Sequence, residues 1–393
     1  MKQKNLTVQG LKEFLINNKI SIRNNIITHE LTIDGEFQNG VKFVDDKKDK
    51  HFWLTIYNCL RDEYDTTLNE VKLYFLALLD DEDCRYNPVS LILDSVPYDD
   101  SKDYLAELYD ILAIPVADEL SKILIKKWLI QCVALSQNTL TNAVGADGML
   151  VLQGRQGIGK TSLIRKLGIN DELCKTDTYI DLKDKDTKIN ALSSWITEIG
   201  EIEHTLKAKN IETFKMWITT SIDRYRVPWG TKSDRYPRMT SLVGTCNSDK
   251  FLVDETGSRR FWVVPIEHID LRRLERFDVL SLWKQIEKIY KDKGIGSYRL
   301  TPREMYLLQK RNMQHEIVPA EDEVKDILSE AEYSPSEYEM TWLTPTTFKG
   351  LYRSLYRYDS RKIGRVLKNL EVQEKRTGKG RFYLLPKPKT EQK

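Results

Sequence analysis

Hydrophobic positions change their period several times along the chain, and each change marks an element. Near the start, Leu11-Lys12-Glu13-Phe14-Leu15 has helical spacing. Ile20, Ile22, Ile26-Ile27, Leu31 and Ile33 then alternate, which predicts a hairpin turning at Asn24-Asn25. Between 51 and 79 the helical period returns, with Phe52, Leu54, Ile56 and Leu60 in one segment and Leu68, Val71, Phe75, Leu78 and Leu79 in a second, which Thr66 or Thr67 caps. Segments 104–112 and 120–136 predict two further helices. The second sets Ile123, Leu124, Trp128, Leu129, Cys132 and Val133 against Lys122, Lys126 and Lys127, an amphipathic packing pattern.

Short unbroken apolar runs follow, as strands buried on both faces require. They are Met149-Leu150-Val151-Leu152, the run around Trp195-Ile196, Leu242-Val243, and Phe261-Trp262-Val263-Val264. Segments 274–289 and 302–314 return to helical spacing and are expected to form a lid. Near the end, 346–356 and 360–370 predict helices, the second capped by Asp359 or Ser360. Segments 372–375 and 381–385 predict a hairpin turning at Thr377-Gly378-Lys379-Gly380. Two helices followed by a two-stranded wing is the plan of a winged helix.

Composition refines this picture at two places. The 393 residues are 40% hydrophobic and 31% charged, with a net charge of +2, as expected for a globular chain of several domains. The charge is unevenly spread: 318–339 holds eight carboxylates and one lysine, whereas 341–393 holds fourteen Lys/Arg and four Asp/Glu. An acidic linker before a basic end predicts a terminal module that meets a polyanion. Cys59, Cys84, Cys132, Cys174 and Cys246 lack Cys-x-x-Cys spacing, so they predict neither a zinc site nor a disulfide framework but reduced thiols in a cytoplasm. MKQKNLTVQG has no apolar core of a signal peptide, and no run is long enough for a membrane span. The acidic runs Asp45-Asp46 and Asp80-Asp81-Glu82-Asp83 fall at element ends and read as solvated turns, so 1–80 is assigned no catalysis.

The chemistry concentrates after the first buried strand. Gly154-Arg155-Gln156-Gly157-Ile158-Gly159-Lys160-Thr161 is a complete G-x-x-x-x-G-K-[ST] loop, and Ser162-Leu163-Ile164 opens a helix behind it. Glycines let backbone N–H groups turn inward around phosphate oxygens, and the helix N-terminus adds partial positive charge. Lys160 is expected at the β- and γ-phosphates of ATP, and Thr161 on Mg²⁺. Three later segments fit the same hydrolysis. In Trp195-Ile196-Thr197-Glu198-Ile199-Gly200-Glu201, Glu198 is expected beside the metal and Glu201 on the attacking water, or the reverse. Asn247, at the end of a strand, is expected to orient that water. Arg259 and Arg260 precede another strand and are candidates for an arginine that stabilises transition-state charge from a neighbouring subunit. Between these strands, 221–238 interleaves Arg224, Arg226, Lys232, Arg235 and Arg238 with Tyr225, Trp229 and Tyr236, the combination that binds single strands; a subunit interface would use the same arginines. In the terminal module, Arg361, Lys362, Arg365 and Lys368 on the second helix, with Lys379 and Arg381 at the wing, are expected to contact duplex DNA.

In their order, GRQGIGKTSL, WITEIGEIE and the segment ending TGSRRFWVV resemble the virulence-associated protein E family, which is similar to superfamily 3 helicases within the AAA+ class of phages and mobile elements. The resemblance implies a ring of subunits, expected as a hexamer, that hydrolyses ATP with Mg²⁺ between subunits and translocates on DNA in a bacterial cytoplasm. It supports Lys160 and Thr161 at phosphate and metal, Glu198 and Glu201 as the acidic pair, Asn247 as sensor, and Arg259 or Arg260 as the trans-acting finger. It places 224–238 toward a central pore holding a single strand. The two glutamates are separated by Ile199-Gly200 where the family pattern has them adjacent, so their division of labour stays open.

The expected organisation is therefore a multidomain α/β chain. A small α+β region covers 1–65, a helical collar 66–140, an AAA+-like phosphate-loop ATPase core 141–275 and a helical lid 276–318. A linker covers 319–340, a winged-helix module 341–386 and a basic tail 387–393. The expected activity is that of an ATP-dependent DNA helicase or replication initiator of a mobile element. The alternative is an ATPase that loads or switches a replication complex without unwinding DNA.

Overall fold

The computed structural model describes residues 4–35, 50–79, 81–206, 211–226, 233–249, 251–252, 258–315, 319–378 and 380–389. The chain forms two compact units, 1–315 and 316–393.

The first unit begins with β1 (Lys4–Asn5), α1 (Val8–Asn17), β2 (Ser21–Asn25), β3 (Leu31–Asp34), α2 (Lys50–Leu60), β4 (Tyr64–Asp65), α3 (Leu68–Leu79) and β5 (Arg85–Tyr86). Leu11, Phe14, Leu15, Phe75 and Leu78 close a small core between them. The hairpin expected from alternation is present, but it turns at 26–30 and not at Asn24-Asn25. Asn25 ends β2, and its Oδ1 accepts from the N–H groups of Ile27 and Thr28 at 3.0 and 3.2 Å. Thr67 caps α3 reciprocally with Glu70: Glu70 N–H donates to Thr67 Oγ1 at 3.3 Å, and Thr67 N–H donates to Glu70 Oε2 at 2.8 Å.

Next come α4 (Pro88–Ser95), α5 (Tyr104–Ile111) and α6 (Glu119–Ser136). The expected collar is not one body: α3 belongs to the N-terminal core, whereas α5 and α6 pack on the central sheet. α6 is not a half-exposed helix, since every residue from Trp128 to Ser136 is buried. Its Trp128 indole donates to Leu242 O at 2.9 Å, and Trp195 Nε1 donates back to Cys132 O at 2.9 Å.

The sheet is built from β6 (Met149–Gln153), β7 (Cys174–Thr178), β8 (Ile196–Ile199), β11 (Ser241–Cys246) and β12 (Phe261–Pro265), all parallel, in the order β12-β6-β11-β8-β7. Between them lie α7 (Lys160–Leu167), α8 (Lys185–Leu192), α9 (Ile202–Thr205), α10 (Ile211–Ile218) and an antiparallel hairpin of β9 (Ile222–Tyr225) and β10 (Asp234–Pro237). Alternation sends side chains to two separate cores. Leu150, Leu152, Trp262 and Val264 face α5, α6 and the later helix at Val279–Lys293, while Met149, Val151, Phe261 and Val263 face α9 and α10.

After the sheet come α11 (Leu271–Arg276), α12 (Val279–Lys293) and α13 (Pro302–His315). They share the larger core with the sheet, so the expected lid is part of the same packed body. α12 lies against α7 through Trp283 Nε1 to Leu167 O at 2.8 Å. α13 is fastened to the other end of the sheet, where Asn312 Nδ2 donates to Ser258 O and Phe261 O, both at 2.9 Å.

The second unit runs α14 (Pro319–Tyr333), β13 (Tyr338–Leu343), α15 (Pro345–Leu351), α16 (Ser360–Asn369), β14 (Glu374–Thr377) and β15 (Gly380–Pro388). The acidic stretch expected as a linker is a helix with a buried face: Ala320, Val324 and Ile327 join Phe348, Ile363, Val366 and Leu385 in one core. Asp322, Asp326, Glu330 and Glu332 are exposed while Glu321 and Glu323 are half-buried, and this density of carboxylates is what reads as a linker. β13, absent from the expected plan, pairs antiparallel with β15, giving the sheet order β13-β15-β14.

Candidate phosphate-binding site

The 154–161 loop leaves the C-terminal end of β6 and enters α7. Two of its glycines have left-handed backbones, Gly157 at φ 83° and Gly159 at φ 97°. The third, Gly154, lies so close to the chain after β12 that an added Cβ would stand 2.2 Å from Ile266 O. α5, α6 and α8 are N-capped by Asp103, Asp118 and Asp184, but α7 starts at Gly159 with no side-chain cap and no acid in its first turn. Its leading N–H groups and the positive end of its dipole therefore face the loop, an arrangement suited to an anion.

Lys160 is buried within this loop. Its Nζ donates to Gly154 O at 2.7 Å, Arg155 O at 2.9 Å and Asn247 Oδ1 at 2.9 Å. Burial lowers its pKa, and the neighbouring Cys246, Glu203 and Glu198 push the other way. Asn247 reaches it because β11 lies beside β6 and ends at the same edge, with Cys246 level with Gln153.

One strand further, Glu198 in β8 is fully buried. Its Oε1 accepts from Thr161 Oγ1 at 2.8 Å and from Thr245 Oγ1 at 2.9 Å. Its Oε2 accepts from Asp177 N–H at 3.4 Å. Burial raises the carboxyl's pKa, opposed by the two hydroxyl bonds. A hydroxyl and a carboxylate 2.8 Å apart are hard oxygen donors, and they fit a magnesium ion completed by water and phosphate oxygens. No cluster of three or more His, Cys, Asp or Glu suited to a metal occurs among the described residues.

Lys160, Thr161, Glu198 and Asn247 are thus brought together, with Gly154, Arg155, Gln156, Gly157, Ile158, Gly159 and Ser162 forming the loop around them. Glu201 is exposed and occupies the N-cap position of α9, without a side-chain cap bond and with a left-handed φ of 45°. Arg259 and Arg260 are at the opposite end of the sheet. They precede Phe261, which is level with Met149, while the loop follows Gln153, level with Pro265. Four steps of about 3.3 Å separate those levels, so on the order of 13 Å of strand keeps both arginines from this chain's own loop. They line a cavity of about 520 Å³ with Glu212, Lys215, Met305 and Tyr306.

The basic hairpin also sorts its residues. Arg224 and Arg235 are cross-strand partners and both are exposed, as is Arg226. Two like charges directly opposite destabilise a ladder. None of the three has an ion-pair partner among the described residues. Arg238, however, is buried against Asp223 and does not face solvent. Tyr225 and Tyr236 stack on each other with centroids 4.6 Å apart and both contact His29, so their faces are used inside the chain and are not open platforms for bases. Lys232 and Trp229 lie outside the described residues.

In the second unit, α16 buries Ile363, Val366 and Leu367 and exposes Arg361, Arg365 and Lys368. Lys362 lies over the Tyr358 ring, 5.5 Å from its centroid. Arg381 pairs with Glu374 at 3.5 Å, and Lys379 is outside the described residues.

Three site groups were missed by sequence reasoning: Thr245, Asp177 and Glu203. Thr245 had a signal, because strand alternation puts it on the face of Glu198's neighbour two residues before Asn247. Asp177 had none, since β7 lacks an apolar run.

The virulence-associated protein E-like domain model matches residues 93–317, more than half of the chain. The chain belongs to that family. Among solved structures, the apo NrS-1 C-terminal region (305–718) matches with 12% identity and a TM-score of 0.49, over 95% of this chain and 98% of that one. The A form of the apo region matches with 11% identity and a TM-score of 0.48, over 96% and 99%. Likenesses this distant carry no residue roles. No curated protein matches. Among the described residues, no helix of this virulence-associated protein E-like chain is long and apolar enough to cross a membrane.

Proposed function

We propose that the chain is a P-loop ATPase of the AAA+ class that assembles into a ring and moves along DNA as a helicase or replication initiator of a phage or other mobile element. The observation that carries this reading is the convergence of Lys160, Asn247, Thr161 and Glu198 at one edge of the parallel sheet. In the proposed site, the loop and α7 hold the phosphates of ATP, and Thr161 with Glu198 holds Mg²⁺. Lys160 exchanges its contacts with loop carbonyls for phosphate oxygens, and Asn247, released from Lys160, turns to the γ-phosphate and water.

Two further features support the ring. Arg259 and Arg260 stand at the far end of the sheet, where they serve a neighbour's phosphate and not their own. The exposed Arg224–Arg235 pair, unfavourable in isolation, gains from a phosphate backbone passing along the hairpin. The second unit supports duplex recognition. Its order helix, strand, helix, helix, strand, strand, with the first strand paired to the last, supports reading it as a winged helix. α16 is the recognition helix of that reading, and Arg381 lies on the wing.

Lys160→Ala is expected to abolish ATP hydrolysis, and unaltered turnover removes the site. A strand-displacement assay with ATP then tests the helicase. ATP turnover stimulated by DNA without displacement, on either strand polarity, replaces it with the loader reading.

A further inference from the structure

We propose that Glu203, rather than Glu201, is the carboxylate that takes the proton from the attacking water. The inference rests on the ATPase reading above. Glu203 lies in α9, directly after the strand that carries Glu198. Its Oε1 accepts from the Asn247 N–H at 3.4 Å, and the Asn247 side chain is itself bonded to Lys160 Nζ at 2.9 Å. Glu203 is therefore one residue removed from the ammonium that marks the γ-phosphate.

Its second oxygen, Oε2, is buried and meets no N–H or O–H donor among the described residues, the Cys246 thiol being a side-chain neighbour of the carboxylate. A buried carboxylate oxygen without a strong donor is rare in a folded chain. Glu198 is already committed, accepting from Thr161, Thr245 and the Asp177 backbone. Glu201 is exposed. Its left-handed backbone turns the chain out of β8, so that Ile202 enters the core beneath the sheet and Glu203 returns beside Asn247. The spacing Glu198, Glu201, Glu203 thus separates three tasks: metal and Thr161 contact, chain reversal, and proton acceptance.

In the step this assigns, the water oxygen bonds to the γ-phosphorus as the bond to the β,γ-bridging oxygen breaks. The electron pair of that bond leaves on ADP. The water proton passes to Glu203 Oε2 and from there to the departing phosphate or solvent, so ATP and water give ADP and inorganic phosphate.

The test uses the full chain with DNA, measuring ATP turnover and, separately, equilibrium binding of a fluorescent ATP analogue. Glu203→Gln is expected to lower kcat about 100-fold or more while analogue binding stays within about threefold. Glu203→Asp is expected to recover part of the rate. Glu201→Gln is expected to lose at least tenfold less than Glu203→Gln. Three results overturn the proposal: Glu203→Gln turning over within tenfold of the unaltered chain, Glu201→Gln as the more damaged variant, or Glu203→Gln losing analogue binding along with turnover. If instead the unaltered chain does not hydrolyse ATP, or Lys160→Ala hydrolyses it normally, the ATPase reading fails and not merely the choice of base.

Discussion

Arg238 offers a measurement in which sequence pattern and structure give opposite answers. As one of the arginines among aromatics in 221–238 it reads as a contact to a single strand or to a neighbouring subunit; in the structure its side chain is 1% exposed. Its Nε and Nη2 donate to the two carboxylate oxygens of Asp223, both at 2.6 Å. Nη1 donates to Trp217 O at 2.8 Å, and the guanidinium lies 4.9 Å from the centroid of the Trp217 ring. Arg238→Met keeps the apolar stem but leaves Asp223 without its counter-charge at 12% side-chain exposure. Removing one partner of such a pair costs about 3–5 kcal/mol, within which the lost carbonyl bond counts for about 1 kcal/mol. At a urea slope of about 3 kcal/mol/M, the midpoint falls by roughly 1–1.7 M. Tryptophan fluorescence reads it directly, since Trp217 is adjacent. Asp223→Leu combined with Arg238→Met removes both charges and is expected to recover most of the loss. Arg224→Ala and Arg235→Ala, on the open face, are expected to shift stability by no more than about 0.5 kcal/mol. They are expected to weaken single-stranded DNA binding and lower its salt slope by about 0.7 for each lost phosphate contact. An Arg238→Met chain with an unchanged midpoint and reduced DNA affinity refutes the clamp and returns Arg238 to the DNA surface.

Burial, with the charge of Arg85, lowers the His29 pKa to about 4. Below pH 6.5 the unfolded chain therefore binds the proton that the folded chain refuses; stability present above pH 6.5 is lost as pH falls toward 4, by up to about 3 kcal/mol. His29→Phe is expected to remove that part of the pH dependence in urea midpoints, and an identical profile for both chains contradicts it. Truncation after residue 340 strands α14 without Phe348, Ile363 and Val366, so it is expected to bind a hydrophobic dye, whereas truncation after His315 is not; equal dye binding argues against the unit boundary. Mixing inactive Lys160→Ala subunits with inactive Arg259→Ala/Arg260→Ala subunits is expected to restore measurable ATPase activity, because some interfaces then combine an intact loop with intact arginines. Mixtures that stay inactive at all ratios exclude a trans role.

Much of the fold was legible because buried parallel strands write themselves as apolar runs. Met149–Gln153 and Phe261–Pro265 stand out in this way. β7, with the sequence CKTDT, does not: it is an edge strand paired only with β8, so one flank needs no apolar neighbour. β9 and β10 carry charge on the open face and aromatics toward His29, a division that appears only once the N-terminal region is folded against them. α14 failed for a different reason. Its buried positions Ala320, Val324 and Ile327 have helical spacing, but eight carboxylates in the surrounding stretch dominate any average over it.

The candidate site divides along the same line. Local motifs named the loop with Thr161, Glu198 and Asn247, since each lies within or just after a recognisable strand, or opens the helix that follows one. What sequence could not state is strand order. β11 lies between β6 and β8, and that single fact makes Thr245 a bridge to Glu198, sets Asn247 against Lys160 and brings Glu203 beneath Asn247. β12 lies beside β6 and runs parallel to it, so its start is far from the loop, and Arg259 and Arg260, expected to act on a neighbouring subunit, line a cavity at that end. In the proposed reading, an anion-binding half and an arginine half at opposite ends of one sheet form a complete site only when a second copy turns one end toward the other. That reading makes ATP turnover depend on protein concentration wherever the subunits come apart.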